Sequence, residues 1–131
     1  MDWTMVSARR LQYQESRMNM RYDQPLKVLV TGASGFVGRH LCRHFIEMGY
    51  DVRGTCRSSS PILEELPDVE WIRISDISPN TNWSEALDGV QYVVHLAALA
   101  HQVGKKGKGR FDEFMRVNAE GTRRLAEQCK F

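Results

Sequence analysis

The run KVLVTGASGFVGRHL sets Gly32, Gly35 and Gly38 three residues apart where an apolar stretch gives way to a helical period. Val28 to Val30 are aliphatic without alternation, as in a strand covered on both faces. After the glycines, Val37, Leu41 and Phe45 recur at i, i+4 and i+8, which predicts one apolar helix face. Gly32 permits the tight turn, Gly35 removes the Cβ that would keep a phosphate from the backbone, and Gly38 lets the helix lie close to the sheet. The N–H groups near Gly35, Phe36 and Val37 then meet an anion at the positive helix end. Glycines also serve ordinary turns. Flanked by strand and amphipathic helix, these read as a site for a nucleotide pyrophosphate.

The chain has 131 residues, 42% of them hydrophobic, enough for one globular domain and short for two. A net charge of +2 says little about partners. Cys42, Cys56 and Cys129 are odd in number with no close pair, which argues against a disulfide framework or zinc ribbon and fits a reducing cytoplasm. His40 and His44 are four apart on the predicted helix, but no third ligand or adjacent Glu accompanies them, so no metal site is expected. There is no apolar run of membrane-spanning length and no signal-peptide core, so a soluble cytoplasmic protein without a membrane partner is expected.

Residues 1–24 are polar, mix charges and show no period, and read as a disordered extension. Arg9, Arg10, Arg17 and Arg21 suit a mitochondrial presequence, against which Asp2, Glu15 and Asp23 count; Met18 or Met20 could be the real start. From residue 25 strand and helix alternate: strand 26–31, helix 36–48 with Gly49 as C-cap, and strand 51–56. Pro61 opens a short helix, and VEWIRI (69–74) follows as a strand whose Glu70 and Arg73 suit a sheet edge. SPNTNW caps a short helix ending at Asp88-Gly89, VQYVVHLAA forms a fourth strand, and a long helix runs from about Phe111 to Cys129. Its expected packed side carries Phe111, Phe114, Met115, Asn118, Thr122 and Leu125. This alternation predicts an α/β fold, a Rossmann-like doubly wound parallel sheet in the order 3-2-1-4, with a ligand at the switch between strands one and four.

In such a fold an acid at the end of strand two holds a ribose 2′-hydroxyl, whereas an arginine accepts a 2′-phosphate. This chain has Cys56, Arg57 and Ser58 there, and Asp51 at the other end of the strand. Arg57 therefore leans the cofactor, NAD(P), towards NADP, a solvated loop arginine being the alternative. Asp76 could accept from the adenine amino group with Ile77 covering the base, or it could simply form a turn. Leu96, Ala97 and Ala98 in HLAALAH lie at the switch point and would line the cofactor's inner half; a close-packed strand end is the plainer reading. Asn118, polar on an apolar stripe, is expected to pin a loop by hydrogen bonds. VGKKGKGR could touch phosphates of a substrate or nucleic acid but reads first as a solvated loop, and no nucleic-acid partner is expected.

In order along the chain, VTGASGFVG, the pair Asp76-Ile77, HLAA from His95 to Ala98 and VNAEGT from Val117 to Thr122 resemble the extended short-chain dehydrogenase/reductase family. The resemblance is to its NAD(P)-dependent sugar epimerase/dehydratase branch, typified by UDP-glucose 4-epimerase. It implies a dinucleotide cofactor, a nucleotide-sugar substrate and a possible homodimer in the full-length enzyme. The strand-two ending VRGTCR is similar to that of NADP-using reductases of the same family. The family mechanism implies a tyrosine base and a lysine four residues later. Tyr13, Tyr22, Tyr50 and Tyr92 are followed at that spacing by Arg17, Leu26, Gly54 and Leu96, so no catalytic residue is assigned. Residues 25–131 thus look like the N-terminal part of such an enzyme. The outer edge of strand four is expected to be unpaired and apolar, leaving the piece marginally stable. A non-catalytic NADP sensor or an inert truncation product are the competing readings.

Overall fold

The computed structural model describes residues 24–57, 62–99 and 108–129. The expected N-terminal extension up to residue 23, Pro61, and residues 103–107 of the basic stretch lie outside the described residues.

The first unit is β1 (Lys27–Thr31), α1 (Phe36–Glu47) and β2 (Asp51–Cys56). Then come α2 (Ile62–Glu65), β3 (Val69–Arg73), α3 (Ser84–Leu87) and β4 (Tyr92–His95). All four strands are parallel in one sheet, ordered β3-β2-β1-β4, which is the expected doubly wound order. A helical rod closes the chain: α4 (Lys108–Phe114), a π segment (Met115–Glu120) and α5 (Gly121–Gln128). No helix among the described residues is long and apolar enough to cross a membrane.

β1 lacks alternation because both its faces are covered. Val28 and Val30 join Cys42 of α1, Val52 and Leu66 on one side, while Leu29 joins Ile72, Trp83, Ala86 and Leu125 on the other. α1 ends where expected. Gly49 is left-handed at φ +79°, its N–H bonds the Ile46 carbonyl at 2.9 Å, and the Tyr50 N–H bonds that of Phe45 at 3.0 Å. Asn82 Oδ1 receives the Ser84 N–H at 3.0 Å and so starts α3. All three cysteines are free.

Three expectations are corrected. Val37 is 61% exposed, because it lies in the first turn of α1 past the end of β1, where no strand runs beneath it. The fourth strand stops at His95 rather than Ala98, because β1 ends at Thr31: the Leu96 N–H is shared between the Thr31 carbonyl at 3.3 Å and its hydroxyl at 3.1 Å, and the Ala97 N–H turns onto the same hydroxyl at 3.2 Å. The rod does not keep one face. Its π segment adds a residue to the turn, so Phe111 and Met115 stand exposed while Leu125, beyond the shift, is buried.

Arg53 is a charge inside the sheet, 5% exposed on β2. Its Nε and Nη2 donate to the Glu70 carboxylate of β3 at 3.0 and 2.9 Å. Nη1 donates to the carbonyls of Glu85, Ala86 and Asp88 at 3.1, 3.1 and 2.6 Å, satisfying acceptors that the short α3 leaves open. Lys27 bonds the same Glu70 at 3.1 Å from nearer the solvent. Arg53→Met removes the buried partner and should cost about 3 kcal/mol or more, whereas Lys27→Met should cost under about 1 kcal/mol. Urea denaturation of the two variants checks the contrast.

Candidate functional site

The β1–α1 turn is shaped by atoms that are missing. Gly32 is left-handed at φ +65°, and a Cβ on it would stand 2.8 Å from the Ala97 backbone nitrogen. The loop after β4 therefore lies backbone to backbone against the turn. A Cβ on Gly38 would collide with the Gly32 carbonyl oxygen and sit 2.7 Å from Ala33 Cα, so this residue lets α1 fold back over its own turn. A Cβ on Gly35 would meet only the Gly32 oxygen, at 3.2 Å, and is otherwise open to solvent.

Gly35 is also the N-cap of α1 and has no side chain to cap it. The first N–H of the helix to bond back is that of Arg39, onto the Gly35 carbonyl at 3.0 Å. The N–H groups of Phe36, Val37 and Gly38 are left pointing out of the helix end, with no acidic residue in the first turn.

This helix end borders a cavity of about 350 Å³ at the C-terminal edge of the sheet. Gly32 and Gly35 line it with Arg57 after β2, Asp76 and Ile77 after β3, and Leu96, Ala97 and Ala98 after β4. Phe36, Val37 and Gly38 are not in its wall. The first two are 73% and 61% exposed and Gly38 is buried under the turn, so they offer backbone N–H groups rather than side chains. Arg57 is exposed, its carbonyl receiving Arg73 Nε at 3.2 Å.

The loop after β4 is held by a chain of hydrogen bonds with assignable directions. Thr31 Oγ1 already accepts from two N–H groups, so its own proton goes to His95 Nδ1, 2.6 Å away. His95 Nε2 then donates to Thr122 Oγ1 at 3.1 Å, and Thr122 donates to the Asn118 carbonyl at 2.7 Å. The Asn118 side chain clamps Leu99 at both ends, accepting its N–H at 2.7 Å and donating to its carbonyl at 3.1 Å. The expected loop pin is thus present.

Asp76 Oδ2 accepts from Arg116 Nη1 of the π segment at 2.9 Å, and Arg116 lines the same cavity. A Cβ on Gly121 would come 2.6 Å from Ile77 Cγ2, so its absence lets the rod lie on Ile77. Thr31 stands within the VTGASGFVG signature, but its own role is not legible there, and Arg116 is not singled out at all. Thr31 looks like an ordinary strand residue, and Arg116 stands one position before a recognised signature.

Comparison with known proteins fits this geometry. The profile of the NAD dependent epimerase/dehydratase family matches residues 28–131. The chain belongs to this family. It is 38% identical over 78 residues to the ketoreductase adrE of Penicillium roqueforti, covering 54% of this chain and 23% of that protein. It is 30% identical over 118 residues to the dihydroflavonol 4-reductase of Callistephus chinensis, covering 84% of this chain and 32% of the relative. Among solved structures, MoeE5 in complex with UDP-glucose and NAD matches with a TM-score of 0.63 and 34% identity, over 79% of this chain and 32% of that one. The chain thus spans about a third or less of the length of these relatives.

In this family member, His95 must stay neutral for its hydrogen-bond chain to hold, since Thr31 Oγ1 has no room for a further donor. Burial correspondingly holds the His95 pKa below its ordinary value. The unfolded chain, with histidine at about 6.5, takes up the proton first. Stability from this group is therefore complete above about pH 6.5 and falls as the pH drops through that value towards the lower folded pKa. Melting temperatures from pH 8 to 5 should fall on the acid side, and His95→Asn, which keeps an acceptor near Nδ1, should flatten the fall.

Proposed function

We propose that the cavity binds a nicotinamide adenine dinucleotide and that the chain is the cofactor-binding portion of an epimerase/dehydratase-type oxidoreductase. The observation that carries this is the open glycine cradle at the outward-pointing N–H groups of Phe36, Val37 and Gly38, the arrangement a pyrophosphate requires. Arg57 then meets the adenosine ribose, Asp76 and Ile77 the adenine, and Leu96, Ala97 and Ala98 the inner half. Arg57 at the end of β2, with no acid beside it, favours NADP. When bound, the nicotinamide supplies reversible hydride transfer; these residues bind and orient it.

A nucleotide sugar is the proposed substrate class of the whole enzyme, supported by the likeness to MoeE5 bound to UDP-glucose. An NADP-dependent ketone reductase is the second reading, favoured by the two reductase relatives together with Arg57. No tyrosine here has a lysine four residues later, so turnover by the family mechanism is not assigned to these residues. Free cysteines suit a reducing cytoplasm, and a homodimer on the rod would cover Phe111 and Met115.

Gly35 has φ −77° and ψ 175°, values open to any residue, so Gly35→Val fills the cradle with only a small shift of the Gly32 carbonyl, 3.2 Å from the added Cβ. Calorimetric titration should show binding to either dinucleotide weakened more than tenfold, with an unchanged far-ultraviolet spectrum. Arg57→Ala should weaken NADP by about ten- to a hundredfold and NAD far less. Unchanged affinity in Gly35→Val would sink the pyrophosphate assignment; equal losses for both dinucleotides in Arg57→Ala would remove the NADP preference.

A further inference from the structure

The adenine end of the cavity is built from two elements that only the fold brings together. Asp76 follows β3 and Arg116 sits on the π segment, 40 positions later, yet the guanidinium donates to Oδ2 at 2.9 Å and both residues line the cavity. The second carboxylate oxygen accepts no hydrogen bond among the described residues, and the guanidinium has no other hydrogen-bond partner there. The side chains are 60% and 42% exposed, so the pair is a weak source of stability. Its consequence is orientation. A solvent-exposed aspartate otherwise rotates freely and must be ordered when a ligand arrives, and that ordering subtracts from affinity. Arg116 orders it beforehand.

We propose that Arg116 is a positioning residue for base recognition: it fixes the Asp76 carboxylate so that the unoccupied oxygen receives the exocyclic amine of adenine. This rests on the dinucleotide reading above and adds the residue that makes the adenine contact selective. Adenine offers an N–H donor at the 6-position. Hypoxanthine offers a carbonyl oxygen there, which a fixed carboxylate repels and a freely rotating one avoids. Glu113, the other carboxylate lining the cavity, lies on α4 and acts on the guanidinium through its charge alone among the described residues, the hydrogen bond and the larger charge interaction going to Asp76.

Calorimetric titration of the chain with NADP, NAD and the hypoxanthine analogue of NADP tests this. The wild type should bind NADP about tenfold more tightly than the hypoxanthine form. Arg116→Ala should bring the two close to parity by weakening the adenine form alone, Asp76→Ala should do the same, and Arg116→Lys should restore part of the preference. A preference that survives in Arg116→Ala overturns the proposal, as do equal losses for both bases. A loss confined to NADP over NAD would make Arg116 a 2′-phosphate ligand instead and also overturns it. Wild-type binding of neither dinucleotide removes the cofactor reading and this inference together, whereas equal wild-type binding of both bases removes this inference alone.

Discussion

Everything at this site depends on how closely α1 can return over the end of β1. Gly38 lies against the Gly32 carbonyl with no space for a methyl group, and Gly32 in turn lies against the backbone of Ala97. These two contacts bring three chain segments together with backbone facing backbone. Donors at the helix end are thereby exposed beside the strand ends rather than covered by side chains. The electrostatics follow from the geometry, because an uncapped helix N-terminus is attractive to an anion only where the anion can reach it.

The second organising point is Thr31, the last residue of β1. Its hydroxyl accepts from the Leu96 and Ala97 N–H groups, the first shared with its own carbonyl, and passes its proton to His95. The sheet ends there, and the loop after β4 becomes a wall of the cavity held by Thr122 and Asn118 from the rod. The π segment belongs to the same arrangement. It lies where Asn118 reaches Leu99 and Arg116 reaches Asp76, at the cost of the regular apolar face that an uninterrupted helix would keep.

Strand order, the helix-ending role of Gly49 and the Asn118 clamp were legible because each rests on a local rule: apolar runs, left-handed glycine, a polar group on an apolar stripe. The length of the fourth strand was not legible, since it is set by where β1 ends and by the Thr31 hydroxyl there, both distant in sequence. The rod's face was misread because a π insertion leaves no mark on a period-3.6 pattern. Arg53 was invisible for a similar reason: an arginine in a strand reads as an edge residue, and only the packing of α3 over β2 supplies the carbonyls that bury it. Gly32 and Gly35 line the cavity, whereas Phe36 and Val37 stand outside its wall with exposed side chains.

The central claim is that the backbone cradle and the three loops beyond β2, β3 and β4 form one binding surface. Amide chemical shifts of the isotopically labelled chain, followed during titration with NADPH, test it most directly. The account predicts that the largest shifts fall together on Gly35 to Val37, Arg57, Asp76 to Ile77 and Leu96 to Leu99, and saturate with one stoichiometry. Saturable shifts confined to another face, or none at all in a folded sample, would contradict it.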